Sequence, residues 1–226
     1  MIQEMTAVLF ADLAGFTALT EAHGDQGAAE IAGRFHDLTS AALIDDARMV
    51  KNDRGSGDVA SDGVLAVART ALALASVVEV ESLFPGMRSG LHAGEVIERS
   101  GDLFGAAVNL AARLAAYAEL GQVVCTQEIA LAISEAPDLA ATPAGRAVLR
   151  NVREPIAIYL LADARQRTGP PSDVDPVCRM RVPQDGGVGT LVHAGRQRRF
   201  CSLDCVRAFV ADLDAYAASA DQTPSQ

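Results

Sequence analysis

The stretch Phe10-Ala-Asp-Leu-Ala-Gly-Phe-Thr17 continues the apolar run Thr6-Ala-Val-Leu-Phe10 near the start of the chain. The run is rich in strand-forming residues, which predicts a strand, and Asp12 stands where that strand should end. Gly15 allows a tight turn just beyond it, and the following amides can form a small anion-binding concavity. This pattern suits a divalent cation that carries a phosphate, and it also fits an ordinary strand-to-helix turn.

A second stretch, Gly105-Ala-Ala-Val-Asn-Leu-Ala-Ala-Arg-Leu114, has helical periodicity and is apolar apart from Asn109 and Arg113. These two residues are four apart, so they share one face of the predicted helix and can reach the same ligand. An amide can orient a sugar, and a guanidinium can meet the negative charge that develops during phosphoryl chemistry. Taken alone, the pair also fits a solvated helix face.

The composition excludes several classes of protein. Half of the 226 residues are hydrophobic, and the net charge is -10. An acidic surface argues against a nucleic-acid partner, which needs a basic face. No uninterrupted apolar stretch is long enough to span a bilayer, and residues 1–9 lack the basic region of a secretion signal. We therefore expect a cytoplasmic protein with no membrane partner.

Residues 1–164 alternate between strand-like and helix-like patterns, which predicts an α/β or α+β sandwich. The predicted helices are 28–43, 70–83 and 106–118, and the predicted strands are 6–10, 48–52, 63–67, 87–97, 122–126 and 147–161. Two prolines, a glycine and small polar residues mark residues 165–174 as a linker. Residues 175–216 are expected to form a second, small module, and residues 217–226 a disordered tail.

Together with Leu91-His-Ala-Gly-Glu-Val96 and Leu149-Arg-Asn-Val-Arg-Glu-Pro-Ile-Ala-Ile-Tyr159, the two stretches resemble the class III adenylate and guanylate cyclases over roughly Met5 to Tyr159. The resemblance implies an α+β fold with a ferredoxin-like βαββαβ core. It implies attack of the ribose 3′ oxygen of ATP on the α-phosphate, with two magnesium or manganese ions per active site. It also implies a head-to-tail homodimer with both sites at the interface.

The same resemblance assigns roles to single residues. Asp12 corresponds to a metal-binding aspartate, and Gly15, Phe16 and Thr17 correspond to the turn that binds the substrate. Asn109 corresponds to the asparagine that positions the ribose. Arg113 corresponds to the arginine that neutralises the transition state.

Lys51 and Asp102 resemble the pair of residues that recognises the base. Adenine offers an amino donor and a ring-nitrogen acceptor, which match the carboxylate of Asp102 and the ammonium of Lys51. Guanine presents the opposite pattern at these positions. The pair therefore favours ATP over GTP.

The second metal-binding aspartate has two candidates, because an insertion of about seven residues separates Lys51 from the next predicted strand, and long hairpin loops are tolerated. Asp62 directly precedes residues 63–67 and is expected to be the ligand, since a strand there would fix its direction. Asp58 follows Gly57 and keeps the Gly-Asp dipeptide of the family. It is the alternative.

Cys178, Cys201 and Cys205 lie in the last quarter of the chain, whereas Cys125 stands alone in an apolar run and is expected to be buried. In a chain without a secretion signal, such clustering indicates metal binding before disulfides. Three thiolates suit zinc or copper(I), and His193 is the candidate fourth ligand.

Residues 175–216 resemble the YHS domain, a small metal-associated module of the TRASH type. The segment departs from the family at Arg179, where glycine is usual. Two other functions stay open on the sequence alone. One is a degenerate cyclase that binds nucleotide or a partner without turnover. The other is a metal-sensing or metal-trafficking protein whose first domain only dimerises.

Overall fold

The computed structural model describes residues 5–50, 57–164, 173–183, 186–193 and 196–217. These residues form two compact units. The first unit contains the described residues of Met1–Leu13, Ala32–Val80 and Met87–Thr168. The second contains those of Ala14–Ile31, Glu81–Gly86 and Gly169–Gln226. The second unit therefore draws on three segments of the chain, whereas the sequence predicts a single boundary at residues 165–174.

The secondary structure alternates along the first part of the chain. The elements there are β1 (Met5–Leu13), α1 (Phe16–Ala41), β2 (Arg48–Met49), β3 (Val59–Ser61), α2 (Val64–Val80), β4 (Met87–Glu95), β5 (Ile97–Arg99), β6 (Asp102–Phe104), α3 (Ala106–Tyr117), β7 (Val123–Thr126), α4 (Gln127–Ala132), β8 (Leu139–Ala147) and β9 (Ile156–Asp163). Seven of these strands form one sheet in the order β2-β3-β1-β4-β7-β9-β8.

The first four sheet strands and the first two helices follow each other as β1-α1-β2-β3-α2-β4. Strand β1 is antiparallel to both β3 and β4, and β2 is antiparallel to β3. Strand β4 is parallel to β7, as expected for two strands joined by a helix. This arrangement confirms the predicted α+β fold with its ferredoxin-like core.

Helix α3 packs closely on β4 because two glycines leave room for it. A Cβ atom on Gly90 would lie 2.4 Å from the carbonyl oxygen of Ala111, and one on Gly94 would lie 2.9 Å from the Cβ of Ala107. No side chain fits at such distances. The glycines therefore fix how α3 lies along β4.

The strand predicted at residues 63–67 is wrong. Helix α2 begins at Val64, and its buried residues recur at helical spacing: Ala66, Val67, Ala68, Thr70, Ala71, Leu74 and Val78. The apolar run continues into an alanine-rich stretch, which favours a helix. The strand in this region is β3, which ends at Ser61, before the predicted one begins.

The second unit is built around a small core of its own. Its further elements are β10 (Asp173–Val174), β11 (Arg181–Val182), β12 (Gly189–His193), β13 (Arg196–Phe200), α5 (Leu203–Ala211) and α6 (Leu213–Ala217). Two antiparallel hairpins, β10-β11 and β12-β13, precede the helices. The buried core residues are Leu19, Ala28, Val177, Cys178, Met180, Val182, Phe200, Cys201, Cys205 and Phe209.

Composition assigns Asp173 and Val174 to the linker, but they pair with Arg181 and Val182. The remaining linker residues, 165–172, lie outside the described part of the chain, as do residues 218–226 of the predicted tail. Within the described residues, every helix is too short or too polar to cross a membrane.

Candidate active site and cysteine cluster

Asp12 lies near the end of β1, directly across from Arg88 on β4. The two side chains form an ion pair, with 3.0 Å between Oδ2 of Asp12 and Nη2 of Arg88. Residues on a strand alternate between faces, so Asp12 shares a face with Val8, which packs against Ala111 of α3. Asp12 therefore lies on the α3 face of the sheet, and Arg88 is a partner that the sequence did not reveal.

The strand register separates the two candidate aspartates. Val59 pairs with Leu9, and the amide of Gly57 donates to the carbonyl of Ala11, so Asp58 lies opposite Phe10. Asp58 is thus the diagonal neighbour of Asp12 on the same face, about 7–8 Å away between Cα atoms.

Asp62 lies at the other end of β1, where the hydroxyl of Thr6 donates to its carboxylate at 3.0 Å. Six positions along a strand separate Thr6 from Asp12, which is about 20 Å. The expected pairing of Asp62 with Asp12 is therefore corrected, because the predicted strand that would fix Asp62 is a helix. The alternative, Asp58, is the aspartate beside Asp12.

Asn109 and Arg113 lie on α3, away from its packed face. Asn109 is exposed and Arg113 is half-buried, whereas Ala107, Ala111 and Leu114 are buried. Since Ala107 contacts Gly94 and Ala111 contacts Gly90, Asn109 lies level with the middle of β4. It is about 13 Å along the sheet from Arg88, and so from Asp12.

Asp102 begins β6, in the short β5-β6 hairpin that leads into α3. Its Oδ1 accepts a hydrogen bond from the amide of Leu103 at 2.8 Å, and the residue is half-buried. Lys51, its predicted partner in base recognition, lies outside the described residues.

Gly15, Phe16 and Thr17 belong to the second unit. Gly15 has a φ of +75°, and a Cβ there would lie 2.6 Å from Cγ of Arg179. Phe16 packs against the core of this unit, and Thr17 is exposed at the start of α1. Arg179 itself has a left-handed backbone with φ of +64°, a conformation that glycine adopts more readily than other residues.

The three clustered cysteines meet in the second unit as free thiols. Sγ of Cys201 lies 3.4 Å from Sγ of Cys178 and 3.7 Å from Sγ of Cys205. Nε2 of His23 lies 3.6 Å from Sγ of Cys201 and 3.8 Å from Sγ of Cys205. All four ligand atoms lie within 4.8 Å of one another.

His193 does not join this cluster. Its ring stacks edge-on against Phe209, with 5.7 Å between ring centroids. The histidine beside the cysteines is His23 on α1, which precedes Cys201 by 178 positions. No local spacing connects residues so far apart, so sequence patterns alone did not reveal it.

A buried carboxylate braces the loops that carry the cysteines. Asp175 accepts hydrogen bonds from the amides of Val177, at 2.9 Å, and Cys201, at 2.8 Å. Burial raises the pKa of Asp175, although these amides oppose the shift. The carboxylate thereby ties the Cys178 turn to the start of α5.

The thiols interact strongly with one another. Hydrogen bonds from the Cys178 and Cys201 thiols lower the pKa of Cys205. Hydrogen bonding to the two other sulfurs raises the pKa of Cys201. Cys205 lies in the first turn of α5. Cys125 is separate from them in β7, where burial raises its pKa to about 12, as its predicted core position implies.

A further polar group lies on β4. His92 is mostly buried, and its Nδ1 lies 3.0 Å from the hydroxyl of Thr126 on β7. Glu128, at the start of α4, lies 3.9 Å from the same nitrogen. Burial lowers the pKa of His92, and Glu128 only partly offsets the shift.

Comparison with known proteins places these features in context. Residues 2–163 match the family model described as the adenylate and guanylate cyclase catalytic domain. A pH-sensitive adenylate cyclase of Mycobacterium tuberculosis is 29% identical over 165 residues, 72% of this chain and 42% of the relative. An adenylate cyclase of Streptomyces coelicolor is 37% identical over 120 residues, 52% of this chain and 31% of the relative. The chain thus spans less than half the length of these relatives.

Solved structures show the same fold. The adenylyl cyclase CyaB from Pseudomonas aeruginosa superposes with a TM-score of 0.62 at 20% identity, covering 73% of this chain and 97% of that one. An adenylate cyclase from Trypanosoma brucei superposes with a TM-score of 0.63 at 23% identity, covering 74% of this chain and 93% of that one.

Proposed function

Because the chain belongs to the adenylate and guanylate cyclase catalytic domain family, we propose that it is an adenylate cyclase. It converts ATP to 3′,5′-cyclic AMP and pyrophosphate at the interface of a homodimer. The observation that carries the proposal is that Asp58 lies diagonally across from Asp12 on the α3 face of the sheet.

Two neighbouring carboxylates, one on β1 and one directly before β3, fit Mg²⁺ or Mn²⁺, which prefer oxygen ligands. When bound, such ions activate the ribose 3′ hydroxyl and neutralise the phosphates. Asp12 and Asp58 would hold them. Arg88 on β4 pairs with Asp12 and thereby orients its carboxylate.

The residues assigned to the nucleotide lie on α3 and in the hairpin before it. Asn109 orients the ribose, and Arg113 meets the charge that develops on the phosphate as the bond to pyrophosphate breaks. Asp102 and Lys51 select adenine through its amino group and ring nitrogen.

The placement of Asn109 supports a dimeric site. In one chain it lies about 13 Å along the sheet from Asp12, too far for both side chains to hold one reacting group. A head-to-tail pair of chains brings the aspartates of one protomer to the α3 helix of its partner. A closed pair of this kind forms two equivalent sites.

The C-terminal segment is proposed to be a metal-binding module related to YHS domains. Its support is the convergence of Cys178, Cys201 and Cys205, all buried and all with free thiols. The rival interpretation, a degenerate cyclase, depended on an insertion that displaced the second aspartate. It is weakened because Asp58 lies beside Asp12.

The proposal is tested by measuring cyclic AMP formation from ATP and Mn²⁺ with the full chain. We expect Asp58→Ala to reduce kcat/KM about a thousandfold or more, because it removes a carboxylate from a two-metal site. Asp62→Ala is the matched control, and it should retain activity within about twofold. Equal activity of both variants would refute the metal role of Asp58.

Mixing the chains tests the dimer. Asp58→Ala and Arg113→Ala chains are each inactive, but their heterodimer contains one intact site. Activity should therefore return on mixing. A mixture that stays inactive, although size analysis shows that heterodimers form, argues against a site shared between chains.

A further inference from the structure

We infer that His23 is the fourth ligand of a zinc ion held by Cys178, Cys201 and Cys205, and that zinc thereby controls ATP binding by ordering the Gly15–His23 segment. The second part rests on the proposed cyclase function, which assigns Gly15, Phe16 and Thr17 to the nucleotide.

Four of the six distances between the donor atoms match a tetrahedral zinc site, and all six are at most 4.8 Å. With Zn–S bonds of about 2.3 Å and a Zn–N bond of about 2.0–2.1 Å, a tetrahedron spaces its sulfurs about 3.8 Å apart and each sulfur about 3.6 Å from the nitrogen. The observed S–S distances at Cys201 are 3.4 and 3.7 Å. The distances from its sulfur and that of Cys205 to Nε2 of His23 are 3.6 and 3.8 Å.

The donor set favours zinc over copper(I). Three thiolates and one imidazole make a closed four-coordinate site of the structural zinc type, with no position left for water. Cys178 and Cys205 are fully buried, and Cys201 is 9% exposed. Cys205 lies in the first turn of α5, where Ser202 caps the helix and its dipole favours a thiolate.

His23 extends the proposed zinc site beyond residues 175–216, because it lies on α1. It ends the first part of α1, because Gly24 has a non-helical backbone with φ of 74°. The short helix before it contributes Phe16, Leu19 and Ala22 to the core that contains the cysteines. The helix is therefore held by apolar packing along its length and by the metal at its end.

Cys178 provides a second connection between the cysteine cluster and the predicted nucleotide-binding turn at Gly15. The next residue, Arg179, presses its side chain against Gly15, and the carbonyl of Cys178 lies 3.6 Å from where a Gly15 Cβ would be. The predicted nucleotide turn is thus linked to two of the four ligands. Loss of zinc releases both links, so the turn loses its fixed shape and ATP binds more weakly.

The ligand is tested by zinc titration of the full chain against a chromogenic chelator, under reducing conditions. We expect one zinc per chain and about a hundredfold or greater loss of affinity in His23→Ala, since even indirect partners of zinc ligands contribute 10–100-fold. His36→Ala, an exposed histidine on the same helix, and His193→Ala should bind as tightly as the wild type. His23→Cys should keep zinc through four thiolates. Unchanged affinity in His23→Ala would overturn the assignment.

The coupling is tested by hydrogen exchange and nucleotide affinity. In His23→Ala, amides of residues 14–23 should exchange at least about tenfold faster, while those of β1 and β4 stay protected. KM for ATP should rise about tenfold with kcat little changed, and His23→Cys should restore it. Unchanged exchange, or a loss confined to kcat, would overturn the coupling. If the wild-type chain forms no cyclic AMP, the proposed function fails, and zinc affinity and exchange still decide this inference.

Discussion

The two units are stabilised by different means. The first unit is built on a seven-stranded sheet, and α3 lies so close to it that a Cβ on Gly90 would be 2.4 Å from the carbonyl oxygen of Ala111. The second unit has few strands, and its centre contains a buried aspartate and three thiols. If the proposed zinc binds there, the order of the second unit depends on the metal, whereas the order of the first unit depends on how closely its side chains pack. A bound metal is one of the ways in which segments of this size are stabilised, besides disulfides and oligomerisation.

The largest expected effect is on the second unit. Cys201→Ser removes the thiol at the centre of the proposed zinc site. Structural zinc contributes about 10 kcal/mol or more to folding, which exceeds what so small a core supplies. Residues 173–217 should lose amide protection, while the seven-stranded sheet keeps its protection. Hydrogen exchange of the full chain measures both at once.

Cys125→Ser is the matched control, since Cys125 is a buried thiol of the first unit. It should keep the zinc and the protection of the second unit. If Cys201→Ser leaves residues 173–217 as protected as before, the small core is sufficient alone and the contrast between the units disappears.

An effect of middle size is expected in the first unit. Gly90→Ala would place a Cβ 2.4 Å from the backbone of Ala111 and of Ala115, so α3 must shift. We expect a loss of about 3 kcal/mol in the free energy of unfolding, at the upper end for overpacking, with unchanged zinc content. Denaturant titration that follows the unfolding of the seven-stranded sheet measures the loss of stability. Metal analysis measures the zinc content.

Gly33→Ala provides the comparison for this substitution. Gly33 lies within α1, and a Cβ added there would meet nothing within 4 Å. Alanine there should raise stability by up to about 1 kcal/mol, because it favours the helix. A Gly90→Ala protein as stable as the Gly33→Ala protein would show that the helix and sheet are not closely packed.

The smallest effect is a pH dependence of the first unit. Burial lowers the pKa of His92, so the folded protein binds fewer protons than the unfolded chain at mildly acidic pH. The stabilisation is therefore present above the ordinary histidine pKa of about 6.5 and is lost as the pH falls below it. Burial opposes the ionisation of neighbouring Glu128, but hydrogen bonding to Thr126 and to the backbone outweighs it and lowers its pKa. This carboxylate therefore also stabilises the fold at neutral pH, and that stabilisation is lost as the pH falls further.

Denaturant titrations at about pH 7.5 and about pH 5.5, on either side of the histidine pKa, measure this difference. His92→Asn keeps a hydrogen-bonding group for Thr126 but does not titrate, so its stability should change less between the two pH values. An equal change in both proteins would assign the pH dependence to other groups.

Patterns among neighbouring residues in the sequence correctly predicted the features that depend only on the local secondary structure. Asp12 lies near the end of a strand, and Asn109 and Arg113 share a helix face, as their neighbours in the sequence indicate. The family resemblance predicted the ferredoxin-like βαββαβ core, which these patterns alone could not. An apolar run typical of a strand favours Asp62, and only the hairpin register shows Asp58 beside Asp12.

Such patterns did not predict contacts between residues that are far apart in the sequence. His23 looks like an ordinary helix residue until α1 packs against the cysteines. Arg88 likewise became a partner of Asp12 only through the register of β1 and β4. Both depend on contacts between segments far apart in the chain, which periodicity does not encode.

The division of the second unit among three chain segments has a consequence for biosynthesis. His23 leaves the ribosome 182 residues before Cys205, which at about 5–20 residues per second is a delay of roughly 10–40 s. Throughout that interval Phe16 and Leu19 lack the core that later covers them. A nascent chain of this protein therefore offers an apolar helix to chaperones or proteases until its last cysteine has been translated.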